Sequence, residues 1–103
     1  MTTRQVIERG EWLYDGMALM PATIVALDYD FWYEIGKADG RLEPGEVPEL
    51  NPHGLLYYVC FRSDPSEHPG WVDSQGFPDV ATAKAWAAGQ VPSPINWRSD
   101  DAV

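Results

Sequence analysis

The chain has 103 residues, 45% of them hydrophobic, and seven Lys and Arg against 16 Asp and Glu leave a net charge of -9. A chain of this length favours one domain burying roughly two-thirds of its unfolded surface, and five tryptophans supply core material that a disordered chain lacks. So strong a negative charge repels nucleic-acid phosphates and anionic membrane surfaces and attracts a basic protein surface, so neither a nucleic-acid nor a membrane role is expected.

The opening, MTTRQVIERGEW, lacks the apolar stretch of a secretory leader, and no run approaches the about 18 apolar residues of a membrane span. The single cysteine, Cys60, cannot form an internal disulfide, so a cytoplasmic location is expected. RQVIERGEWLYDG reads as one or two short strands, with Gly10 a candidate bulge and Asp15-Gly16 a turn.

Thr23 to Ile35 carries the clearest periodicity. Thr23, Val25, Leu27, Tyr29, Phe31, Tyr33 and Ile35 alternate with Ile24, Ala26, Asp28, Asp30, Trp32 and Glu34. Alternation of this length predicts a half-buried strand, entered just after Pro21. Leu55 to Arg62, LLYYVCFR, predicts a second. An antiparallel register with Ile35 opposite Leu55 sets Trp32 against Tyr58 and Asp28 against Arg62, both favourable cross-strand pairs. Between them, residues 36–54 read as a long acidic connection rich in Gly and Pro.

Residues 63–70 form a further acidic loop, and WVDSQGF a short strand. PDVATAKAWAAG predicts a helix, with Asp79 as its N-cap, Gly89 as its stop, and Val80, Ala83, Lys84 and Ala87 on one face. PSPINW is expected as an edge segment, and residues 97–103 as a polar C-terminal tail. The predicted fold is a single α+β domain over residues 1–103: an antiparallel β-sheet of three to five strands with one short C-terminal α-helix packed on it.

Few motifs carry chemistry. Asp39-Gly40 followed by Glu46 matches the tail of a calcium loop, but Ile35 and Lys37 fall where oxygen ligands belong, so calcium binding is not expected. Asp28, Asp30 and Glu34 share a predicted strand face and could hold a divalent metal or form an acid–base pair, although an exposed strand face supplies such spacing by itself. His53 and His68 sit in loops without metal-ligand spacing to Cys60, which reads as structural; neither a metal nor a cofactor is expected.

Thirteen aromatic residues exceed what one small core needs, and Trp32 and Tyr58 fall on the predicted polar face. Either a second layer covers them or they form a contact surface. The favoured function is therefore a non-enzymatic binding protein that docks a basic protein partner. Asp28, Asp30, Trp32, Glu34 and Tyr58 form the contact, and Asp39, Glu43, Glu46 and Glu49 steer association. The small, acidic, tryptophan-rich format resembles bacterial immunity proteins and phage inhibitors in general character, and no motif transfers residue roles from either. The alternatives are a small-ligand or carbohydrate-binding module stacking its ligand on Trp32 and Tyr58, and an enzyme using the strand carboxylates.

Overall fold

The computed structural model describes residues 4–61 and 72–99. Its centre is a hairpin of β1 (Arg4–Tyr14) and β2 (Ala18–Leu27). The turn closes through a 3.0 Å bond from the Met17 amide to the Tyr14 carbonyl, with positive φ at Asp15 (53°) and Gly16 (66°). Positive φ at both central positions matches the right-handed twist of the flanking strands, which is why Asp-Gly suits this site. β3 (Leu56–Cys60) pairs antiparallel with β2, and β4 (Asn96–Ser99) pairs antiparallel with β1, giving the order β3-β2-β1-β4. Two helices, α1 (Phe31–Ala38) and α2 (Val80–Ala88), complete an α+β architecture.

Ala22 to Leu27 are all buried, so this half of β2 is covered on both faces. On one face Val25 and Leu27 join Phe31, Leu56, Tyr58, Cys60 and Val72. On the other, Ile24 and Val59 pack against Phe77, Ala83 and Ala87. Each fully buried aliphatic side chain contributes about 1.5–3 kcal/mol, so this strand anchors the molecule. α2 lies on the second face as predicted: Asp79 Oδ1 accepts the Thr82 amide at 2.7 Å, and Ala83 and Ala87 let the helix approach closely. Lys84 reaches Glu8 at 2.8 Å and stands 5.8 Å over the Trp97 ring.

Several expectations need correction. The strand ends at Leu27, not Ile35; Asp28 to Asp30 turn the chain, and Phe31 starts a helix. Leu27, not Ile35, lies beside the start of β3, and Val25, not Trp32, faces Tyr58. The strand begins at Ala18, so Pro21 lies within it, opposite Glu11. Among the described residues β3 reaches only to Thr23, so Pro21 has a single neighbouring strand and the missing amide is tolerated. The bulge falls between Val6 and Glu8 rather than at Gly10. Gly10 answers a different need: a Cβ there would lie 2.9 Å from both Ile95 Cγ2 and Trp97 Cε3, so the glycine admits β4. Trp97 to Ser99 belong to that strand rather than to a tail.

The predicted WVDSQGF strand becomes an irregular cover for the outer edge of β3. Tyr57 and Phe77 exchange main-chain bonds of 2.9 and 2.8 Å, and the Asp73 amide donates to the Val59 carbonyl at 3.0 Å. Where the backbone departs, side chains take over. Ser74 Oγ accepts the Val59 amide and Asp73 Oδ2 accepts the Phe61 amide, both at 2.8 Å. Trp71, Arg62 and the loop expected at residues 63–70 lie outside the described residues.

Tyr58 is fully buried, and its hydroxyl accepts the Phe31 amide at 2.8 Å. Burial pushes the phenol from 10.0 up to about 12; the Phe31 amide opposes this, while Asp30 and Tyr29 add to it. The unfolded chain ionises first as pH rises, so stability is full below pH 10 and is lost progressively towards about pH 12. Replacing Tyr58 with Phe leaves the Phe31 amide without its acceptor, at a cost of about 1–3 kcal/mol near neutrality. It should also flatten the alkaline loss. Urea unfolding of both proteins at neutral pH and above pH 10 measures the two effects.

Candidate binding cleft

The stretch from Asp28 to Glu49 holds seven acidic residues and two basic ones, a net of -5 within the chain's -9. Its fold begins at Asp30, whose extended backbone (φ -84°, ψ 103°) makes it the N-cap of α1. Asp30 Oδ1 accepts the Tyr33 amide at 3.2 Å, satisfying a helix donor that has no partner within the helix. Its Oδ2 accepts the Glu49 amide at 2.9 Å and ties the acidic loop back to the helix start. One carboxylate thus fixes two segments.

The other end of α1 resolves the calcium-like pattern. The Arg41 amide donates to the Gly36 carbonyl at 2.8 Å, the Gly40 amide donates to the Lys37 carbonyl at 3.2 Å, and Gly40 has a φ of +68°. A left-handed glycine with this pair of bonds is a helix stop, so Asp39-Gly40 ends α1. Further on, Glu43-Pro44-Gly45-Glu46 forms a turn with a φ of +87° at Gly45 and a 3.1 Å bond from the Glu46 amide to the Glu43 carbonyl. Proline followed by a glycine of positive φ suits a type II turn. The Glu46 carboxylate also accepts the Glu43 amide at 2.9 Å, pinning the turn. Among the described residues no three His, Cys, Asp or Glu side chains come together to hold a metal ion.

Between α1, this loop and the β3 edge cover lies a cleft of about 400 Å³. Trp32, Tyr33, Val47 and Leu56 supply its apolar lining, and Asp30, Glu46 and Glu49 its carboxylates. Trp32 is held by a 2.8 Å bond from its Nε1 to the Ser74 carbonyl, yet the residue remains 39% exposed. Gly76 closes one side: a Cβ there would lie 2.8 Å from Leu56 Cδ1 and 3.0 Å from the Tyr58 hydroxyl.

Of the residues singled out from the sequence, Asp30, Trp32, Glu46 and Glu49 meet in this cleft. Tyr58 does not: its ring is buried behind the cleft, so the Trp32–Tyr58 platform does not form. The common strand face of Asp28, Asp30 and Glu34 is absent too, because these residues occupy a turn, a helix cap and a helix. Asp28 is exposed at the turn, and Glu34, Asp39 and Glu43 are exposed outside the cleft lining. Sequence reasoning missed Tyr33, Val47, Gln75 and Gly76; for Tyr33 the two-sided apolar run ending at Leu27 was the signal that the strand stops before it.

Compared with known proteins, the chain matches no family model, and neither a curated protein nor a solved structure matches it significantly. Among the described residues no helix is long and apolar enough to cross a membrane.

Replacing Asp30 with Ala removes both of its bonds and should destabilise the protein by about 0.5–2 kcal/mol from the cap alone. Asn retains one carbonyl oxygen, enough for the cap but not for the Glu49 tether. Amide exchange should therefore quicken over residues 43–50 in both variants, while α1 amides quicken only in Asp30→Ala.

Proposed function

We propose that this chain is a non-enzymatic binding protein that docks a basic protein partner, immunity- or inhibitor-like in character, with the cleft receiving a Lys or Arg side chain. The observation that carries this reading is the pairing of an exposed Trp32 and Val47 with Glu46 and Glu49 around one concavity. Lys and Arg have long apolar stems ending in a cation, so the stem suits the ring and the valine while the head group suits the carboxylates. Among the described residues no ion pair engages Glu34, Asp39, Glu43, Glu46 or Glu49, so their field is not cancelled locally. Such a field speeds encounter with a cationic surface.

The second reading, a small-ligand or carbohydrate module, draws on the concavity itself. The volume lies in the range of small-molecule sites, and Tyr33 joins Trp32 in the lining. Salt separates the two readings, since contacts between charges are screened and the stacking of a neutral ring is not.

Titration with an arginine-rich peptide, followed by calorimetry, tests the proposal. Affinity should fall steeply as NaCl is raised. Glu46→Lys and Glu49→Lys should each weaken binding about tenfold at low salt, whereas Asp15→Asn, at the far end of β2, should not. Trp32→Ala should weaken binding at every salt concentration. Unchanged affinity in both lysine variants would sink the cationic reading, and salt-independent capture of a neutral oligosaccharide would favour the second one.

A further inference from the structure

The opposite end of the sheet has a different chemistry. Among the described residues β3 pairs with β2 only from Thr23 onward and β4 pairs with β1 only from Glu8 to Glu11, so the hairpin projects past both of these strands. Trp12 to Ala22 contain one charged residue, Asp15, in a chain of net charge -9. Among the described residues nine large hydrophobic side chains are exposed, and five belong to this arm: Leu13 (41%), Tyr14 (56%), Met17 (85%), Leu19 (66%) and Met20 (36%). Leu13 and Leu19 are cross-strand partners on one face, and Met17 protrudes at the tip. Beside the tip, Leu13, Tyr14, Asp15, Gly16, Pro92 and Ser93 line a groove of about 550 Å³.

We infer that this arm is a self-association surface, on which two copies of the chain meet tip to tip about a two-fold axis. Met17 of each copy seats in the groove of the other. Three considerations select a second copy as the occupant. Leu13 and Leu19 on one face, with Met17 at the tip, form an apolar patch of the kind that on a monomer's surface is often functional. Doubled across a two-fold contact, so small a patch stays below the about 1,200 Å² of standard interfaces and sets a weak, reversible association. The knob and the groove lie on the same patch, which a two-fold contact between identical surfaces requires.

Charge supplies the third consideration. A ten-residue strand spans about 33 Å, so the acidic cleft beyond Leu27 is several screening lengths from the tip at physiological salt. Two chains of charge -9 therefore meet with least repulsion at this end, and a basic partner finds nothing here to pair with beyond Asp15. Ladder pairing is disfavoured. Ser93 Oγ accepts the Leu13 amide at 2.9 Å and donates to its carbonyl at 2.7 Å, closing the β1 edge, and Pro21 removes a donor from the β2 edge. The contact is made by side-chain packing.

Sedimentation equilibrium from micromolar to millimolar chain, at low and high NaCl, tests this directly. The wild-type protein should show a reversible monomer–dimer equilibrium in which the dimer fraction rises with salt, the sign opposite to that expected for binding a basic peptide. Leu19→Glu and Met17→Lys, both at highly exposed positions, should be monomeric throughout, with unchanged thermal midpoints and unchanged arginine-peptide affinity. A wild-type chain that stays monomeric over the whole range overturns the inference, as does a dimer that survives both variants. Co-sedimentation of monomer with phosphatidylcholine vesicles would assign the patch to a lipid surface and overturn it equally.

Discussion

The bond from the Phe31 amide to the Tyr58 hydroxyl holds the two halves of the molecule in register with each other. Tyr58 stands on β3 opposite Val25, inside the core, and its hydroxyl meets the first amide of α1. That amide is one of the helix donors with no acceptor inside the helix, and the hydroxyl satisfies it. Once Phe31 is placed, Asp30 becomes the cap, Trp32 is directed towards Ser74, and the acidic loop is drawn back through Glu49. The same hydroxyl sets the limit at Gly76, where no side chain fits. The buried phenol thus fixes the start of α1 and one wall of the cleft.

What the sequence disclosed and what it hid follow from the kinds of interaction involved. Local signals were legible: Asp15-Gly16 makes the hairpin turn, and Asp79 and Gly89 bound α2, because each depends on backbone geometry within a few residues. The pairing of the second and third strands was legible as well, though not its register. Asp28 to Ile35 continues the alternation of β2, yet Phe31 and Ile35 also stand one helical turn apart, so the pattern fits both periods. The choice is made by Tyr58, 27 residues away from Phe31, and no window along the chain contains that contact. Because the register differs by an odd number of positions, Tyr58 turns from the face assigned to Trp32 to the face of Val25 and Leu27. ATIVAL, Ala22 to Leu27, was the informative stretch: an unbroken apolar run is what a strand covered on both faces requires. Of the cleft, the acidic and aromatic composition could be read in advance, whereas the concavity could not, since it arises where the loop folds back.

The sheet also shows how a small domain protects exposed edges without adding strands. Among the described residues the main chain supplies bonds at the β3 edge only at Tyr57 and Val59, and the side chains of Ser74 and Asp73 accept the amides of Val59 and Phe61. At the opposite side Ser93 performs the same office for Leu13 beyond the reach of β4. Hydroxyl and carboxylate oxygens accept main-chain amides as a neighbouring strand would, but they do not propagate a ladder to another molecule. Irregular segments therefore serve as terminators of the sheet.

The place of β4 has a consequence for how the chain reaches this state. β1 and β2 are joined by a three-residue turn and can pair as soon as both exist. The other neighbour of β1 arrives much later: Ser93 is 80 positions from Leu13, and Arg98 is 87 from Glu11. α2 must first cross the second face of the sheet, carrying the chain from β3 on one side to β1 on the other. Closing so long a loop is entropically unfavourable and slow compared with closing the hairpin. During synthesis on the ribosome, the backbone at Gly10 therefore stays uncovered until Ile95 and Trp97 have emerged. In that interval the nascent hairpin exposes apolar surface that the finished protein conceals, which makes it prone to aggregate.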